Sequence, residues 1–123
     1  MAVQLETLRT FDDARGSAFE PVEAAVLQSA RNVHVVITEP GRVRGNHVHH
    51  RGTETLIIRG PARLALEEQG ERSVHDVPPG LVLRVTLPAG VAHAVQNTGN
   101  QPLVLVSFGT EPFGLRDGID RRI

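Results

Sequence analysis

The stretch GRVRGNHVHHRGTETLIIRG, residues 41–60, decides the fold. Read as extended chain, it puts His47 and His49 on one face and His50 on the other, because successive side chains of a strand alternate. Two imidazoles on one face, about 7 Å apart at their Cβ atoms, can converge on one ion at about 2.0–2.1 Å from each nitrogen. Arg51-Gly52 reads as a turn, so the next strand, Thr53 to Arg59, brings the Glu54 carboxylate back beside the pair. An isolated His-x-His is most often a solvated strand face, and the pair becomes a site only with partners. His93, after the Pro88-Ala89-Gly90 turn, is the next partner, on a strand that has to lie beside the first. Three neutral imidazoles and a carboxylate suit one divalent transition metal per chain. Zn, Fe, Ni, Mn and Cu all accept such donors, and the sequence does not choose among them.

Outward from this stretch, short apolar runs and turn residues alternate as they do in an all-β sandwich or barrel. Val33 to Thr38 is a strand closed by Glu39-Pro40-Gly41, and Val43 to His50 follows. Arg63 to Glu67 and Ser73 to Val77 form a hairpin around Gln69-Gly70. Leu81 to Leu87 carries Leu81, Leu83, Val85 and Leu87 at period two, not 3.6. His93 to Gln96 and Leu103 to Phe108 complete the set. The single helix expected is Pro21 to Ala30, with Pro at a permissible start. With short, evenly spaced turns and no linker or repeat, residues 1–123 read as one domain. The tail from Gly109 to Ile123, which holds Glu111, Arg116, Asp117, Asp120, Arg121 and Arg122, reads as a surface segment packed on the barrel or on a partner subunit.

Composition removes whole mechanisms. The chain has no Cys, Tyr, Trp or Lys, so all 13 basic side chains are Arg and the aromatic rings besides 6 His are 4 Phe. A thiol nucleophile, a thiolate metal site, a Lys Schiff base and a tyrosyl acid are thereby excluded. A net charge of -1 and a scarcity of aromatic platforms speak against nucleic acid. No apolar run reaches the roughly 18 residues of a membrane span, and the N-terminus lacks a signal-peptide pattern, so a cytoplasmic protein is expected. Small sandwiches cover exposed sheet edges and apolar faces by pairing, which predicts a homodimer.

Gly41, then His47-Val48-His49, Glu54 and Gly60, followed by Pro88, Gly90, His93 and Asn97, resemble the two motifs of the cupin superfamily, in order and around a short hairpin. Five residues separate Glu54 from Gly60 where the family pattern has six, and seven separate Gly80 from Pro88 where it has five; both departures fall in spacers. The resemblance implies a double-stranded β-helix, or jelly-roll, barrel with His47, His49, Glu54 and His93 as metal ligands. Asp13-Ala14-Arg15-Gly16-Ser17, Arg44-Gly45-Asn46-His47 and Asn97-Thr98-Gly99 are further similar to the sugar-nucleotide cupins: the dTDP-4-dehydrorhamnose epimerases, the 3,4-ketoisomerases and the capsular-polysaccharide cupin domain. By that likeness Arg44 grips a diphosphate, with Arg15 as a second candidate, since Arg pairs bidentately with phosphate. Strict alternation sets Arg44 opposite His47, but a bulge at Gly45 re-aims it.

The implied function is a metal-dependent isomerase or epimerase of a sugar or sugar nucleotide. An Fe-dependent dioxygenase and a non-catalytic carbohydrate-binding module are the alternatives. The epimerases pair a His base with a Tyr acid, and this chain has no Tyr. A ligated His is not a free base, so His47 and His49 become an acid–base pair only in a metal-free site. His34, His50 and His75 have no spacing that joins them to the site and default to structural or exposed roles, as do Arg42, Arg51, Arg59, Arg63 and Arg84. Ser107 and Thr86 lack an activating base.

Overall fold

All eight strands expected from the sequence form, bounded by the turn residues that flank them. The computed structural model describes residues 2–112 and the backbone of 118–120. The eight are β4 (Asn32–Thr38), β5 (Val43–His49), β6 (Glu54–Arg59), β7 (Ala62–Glu68), β8 (Glu71–Val77), β9 (Val82–Leu87), β10 (Ala92–Asn97) and β11 (Leu103–Gly109). The N-terminal region adds three that hydrophobic patterning does not reveal: β1 (Gln4–Leu8) and the small hairpin of β2 (Phe11–Asp13) and β3 (Gly16–Ala18). The helix, α1, is shorter than expected, Ala24–Ser29. Glu23 at its N-cap is extended and its side chain makes no capping bond, so nothing holds a further turn.

Two five-stranded antiparallel sheets carry the fold, in the orders β1-β9-β6-β11-β4 and β12-β5-β10-β7-β8, where β12 is Gly118–Asp120. Strands consecutive in sequence therefore mostly sit in opposite sheets, the connectivity of a jelly roll. Leu56, Ile58, Leu64, Val85, Val95 and Leu105 fill the space between the sheets, each 5% exposed or less. At roughly 1.5–3 kcal/mol per buried aliphatic side chain, this layer is the main force holding the sheets face to face. The expected alternation on β9 is present, Leu83, Val85 and Leu87 pointing inward. Arg84, on the opposite face, departs from its expected surface role. It lies beneath the N-terminal segment, bonded to Glu6 at 2.9 Å and to the Pro21 carbonyl.

The tail contributes β12, which pairs with β5 so that Gly118 lies opposite His49 and Asp120 opposite His47. Arg116, Asp117, Arg121 and Arg122 lie outside the described residues. Among the described residues no helix is long and apolar enough to cross a membrane.

Candidate functional site

Hydrogen bonds between the two motifs hold the site's strands in register. The Gly41 amide donates to the Asn97 carbonyl at 3.0 Å, the Asn97 amide to the Arg42 carbonyl at 3.0 Å, and the Gly90 amide to the His49 carbonyl at 2.8 Å. The Asn97 side chain, 1% exposed, donates to the carbonyls of Thr38 and Gln101 and accepts from the Gly99 amide. That one residue closes the Asn97-Thr98-Gly99 turn and ties it to β4.

Strands β5 and β10 then bring His47 directly opposite His93, and the register slips one residue later, where Ala94 faces Gly45. Asn46 is the extra residue of a bulge, and both it and Gly45 have positive φ, 58° and 90°. Gly45 is required there on two counts. Few L residues adopt that φ, and a Cβ would come within 2.7 Å of the His93 carbonyl oxygen. Because of the bulge, Arg44 pairs with Val95 and shares the inward face with His47 and His93, as the sequence reading required.

Three imidazoles converge: His47, His49 and His93 place one ligand nitrogen each within 4.8 Å of one another. Glu54 reaches them from the opposite sheet. Its Oε2 lies 3.1 Å from His49 Nε2 and 3.8 Å from His93 Nε2, and its Oε1 accepts the hydroxyl hydrogen of Ser107. His47 Nδ1 donates to the Gly45 carbonyl at 3.0 Å, which sets the Nδ1–H tautomer of the ring. Burial pushes the His93 imidazole down to about 4, and the charges of its two His neighbours add to that against the pull of Glu54, so the ring is neutral at pH 7. Burial works against the Glu54 carboxylate too, but the His49 hydrogen bond, the charge of His93 and the Ser107 hydroxyl outweigh it and hold its pKa at about 2. Imidazoles and a carboxylate are the donor set that a divalent transition metal takes, and these four residues fit one.

The cluster opens onto a cavity of about 390 Å³, within the range of small-molecule sites. Glu54, His47 and His93 face it, aliphatic side chains such as Val36, Leu56 and Leu105 wall it, and Arg44 stands at its lining with Nη2 3.4 Å from the Ile37 carbonyl. His49 lies on the far side of Glu54 and His93, beside Arg51 and Pro88. Arg15 does not line the cavity; its side chain is 90% exposed and pairs with Asp13 at 2.5 Å. His34 corrects the sequence reading, for it lines the cavity instead of standing apart from it. The signal was there in β4, whose inward residues are His34, Val36 and Thr38, but the outward face holds Val33, Val35 and Ile37, so hydrophobicity did not tell the faces apart. Ser107 is likewise in the site, as a donor to Glu54 and not as a nucleophile. His50 is exposed, and His75 bonds Ser73 away from the cavity.

A jelly-roll barrel with a His and Glu cluster between its sheets has the cupin-like fold. The chain belongs to the family described as the polysaccharide biosynthesis C-terminal domain, whose model matches residues 11–118. No curated protein sequence matches it. Among solved structures, the fold is similar to the sugar 3,4-ketoisomerase QdtA of Thermoanaerobacterium thermosaccharolyticum in complex with TDP (18% identity, TM-score 0.74, 97% of this chain and 88% of that one). A structure of a point mutant of that enzyme is in complex with TDP-4-keto-6-deoxyglucose. ChmJ, a 3'-monoepimerase from Streptomyces bikiniensis in complex with dTDP-quinovose, is similar at 16% identity and TM-score 0.75 over 91% of this chain and 65% of that one. The capsular polysaccharide assembling protein CapF of Staphylococcus aureus is similar at 24% identity and TM-score 0.68, over 94% of this chain but 33% of that one. At these identities the likeness is one of fold.

Proposed function

We propose that this protein isomerises or epimerises a keto-sugar nucleotide, with one divalent transition metal held by His47, His49, His93 and Glu54. The observation that carries the reading is the opening of this cluster onto a cavity that Arg44 also lines. Guanidinium pairs with diphosphate, and the cavity volume suits a sugar ring behind it. Fold relatives that act on or bind TDP-linked sugars support the substrate class. When bound, the metal supplies a Lewis acid to a sugar carbonyl. The chain's own residues do the rest. The aliphatic walls exclude water, Arg44 holds the diphosphate, Ser107 fixes the Glu54 carboxylate, and the Gly45 carbonyl holds the His47 ring in one tautomer.

Two measurements test this. Elemental analysis of protein purified without chelator is expected to give about one transition metal per chain, falling on the order of 10-fold or more in His49→Ala. Retention of stoichiometric metal by the double alanine variant of His47 and His49 removes the metal assignment. Incubation in D2O with TDP-4-keto-6-deoxyglucose is expected to place deuterium on the carbon next to the carbonyl. Absence of label with this and other keto-sugar nucleotides removes the enzyme reading.

A further inference from the structure

The proposed reaction needs a group that takes a proton from carbon and gives it back, and that group has to be free of the metal. The cavity holds few candidates. Among the described residues its titratable lining is His34, Arg44, His47, Glu54 and His93. Three of these are committed to the cluster, and an Arg does not give up its proton in a protein. Ser107 has its hydroxyl on Glu54, and the chain contains no Tyr, Lys or Cys.

We propose that His34 is the proton-transfer residue of this site, a role that rests on the sugar-nucleotide reading above. Its position fits the task. On β4 it lies in register with Ser107 of β11, so the two side chains are neighbours on the inward face, with Cβ atoms about 5 Å apart. Glu54 is on β6, the next strand beyond β11, two residues along from Leu56, which is level with Ser107, so its Cα lies about 12 Å from that of His34 while its carboxylate reaches back to Ser107. A sugar ring lying between them has its carbonyl toward the cluster and an adjacent carbon toward His34. The ring is half-buried, and the Asn32 side-chain nitrogen, 3.5 Å from His34 Nδ1, orients it. Imidazole is the side chain whose ordinary pKa suits proton exchange near pH 7.

The chemistry closes on this one carrier. A His34 nitrogen accepts the proton of the carbon that bears a hydroxyl next to the carbonyl. The C–H electron pair becomes the C=C bond of an enediolate as the carbonyl π pair moves to its oxygen. The hydroxyl proton passes to that oxygen, and His34, whose N–H exchanges with solvent before reprotonation, delivers a proton to the former carbonyl carbon, so the carbonyl has moved by one position with no net loss or gain. Inversion at a single carbon asks for a donor on the opposite side of the ring. The described lining offers none outside the cluster, so the assignment favours carbonyl migration over epimerisation.

The test compares the wild-type protein with His34→Asn, and with His34→Gln should the first fail to fold, using TDP-4-keto-6-deoxyglucose in D2O. Loss of kcat and of carbon-bound deuterium by on the order of 100-fold or more is expected. TDP affinity and metal content are expected to stay at wild-type values, which a merely structural role for His34 would not produce. Normal exchange by a folded variant overturns the role of His34 while leaving the proposed function standing. A wild-type product inverted at one carbon, with its carbonyl in place, overturns the one-sided transfer. A wild-type protein that labels no keto-sugar nucleotide overturns the proposed function and this role with it.

Discussion

Replacing Gly45 with Ala tests how the bulge builds the site. Gly45 has φ of +90°, and a Cβ there meets the His93 carbonyl oxygen at 2.7 Å and Ala94 Cα at 3.3 Å. The positive φ alone costs an Ala about 1–2 kcal/mol. The contact is with backbone, not with the end of a flexible side chain, so β10 has to move, at about 1–3 kcal/mol more. Gly41 is the matched control, since its φ is +79° and a Cβ there meets nothing within 4 Å. Urea unfolding of metal-free protein is therefore expected to show Gly45→Ala losing about 3 kcal/mol and Gly41→Ala about 1. The same displacement moves the Gly45 carbonyl that holds His47 Nδ1, so metal affinity is expected to fall on the order of 10-fold or more in Gly45→Ala alone. If the two variants lose equal stability, the close approach of β5 to β10 does not exist as described.

Three other outcomes are expected. Asn97→Ala removes three hydrogen bonds from a residue 1% exposed, and urea unfolding is expected to register a loss of about 3 kcal/mol; a loss below about 1 refutes the latch between the turn and β4. In metal-free protein, stability is expected to fall on acidification. The unfolded chain binds a proton at His93 that the folded one resists between about pH 6.5 and 4, and one at Glu54 between about 4.5 and 2, so both push the same way. The His93 part amounts to about 3 kcal/mol, and a flat profile from pH 7 to 4 refutes it. We propose that the homodimer expected from the sequence uses the outward face of β4 and β11, where Val33, Val35, Ile37 and Val104 are each more than half exposed and uncharged. Sedimentation is expected to show a dimer that Val35→Asp dissociates, and a monomeric wild type refutes the assignment.

The barrel was legible because turn residues punctuate each of its eight principal strands, and the alternation on β9 announced its face directly. The cluster was legible because residue type and spacing are both specific: His-x-His, a turn, then Glu. What stayed hidden was set by tertiary partners. Strand β1 is exposed at four of its five positions, and only pairing with β9 makes it a strand. His34 sits in a run that is apolar on both faces, so its direction depended on which face of β4 the opposite sheet would cover. Ser107 owes its place to a carboxylate 53 residues away, which no local pattern foretells.

The cluster draws its members from both sheets: His47, His49 and His93 from one, Glu54 and its Ser107 donor from the other. The three imidazoles come together when β5 pairs with β10, and Glu54 joins them only when the second sheet docks. If an ion binds there, as proposed, its capture has to wait until sequence-distant strands have found each other, the slow step of an all-β chain. On the proposed metal assignment, uptake of the ion during refolding follows the pairing of β5 with β10 and then the docking of Glu54 onto them.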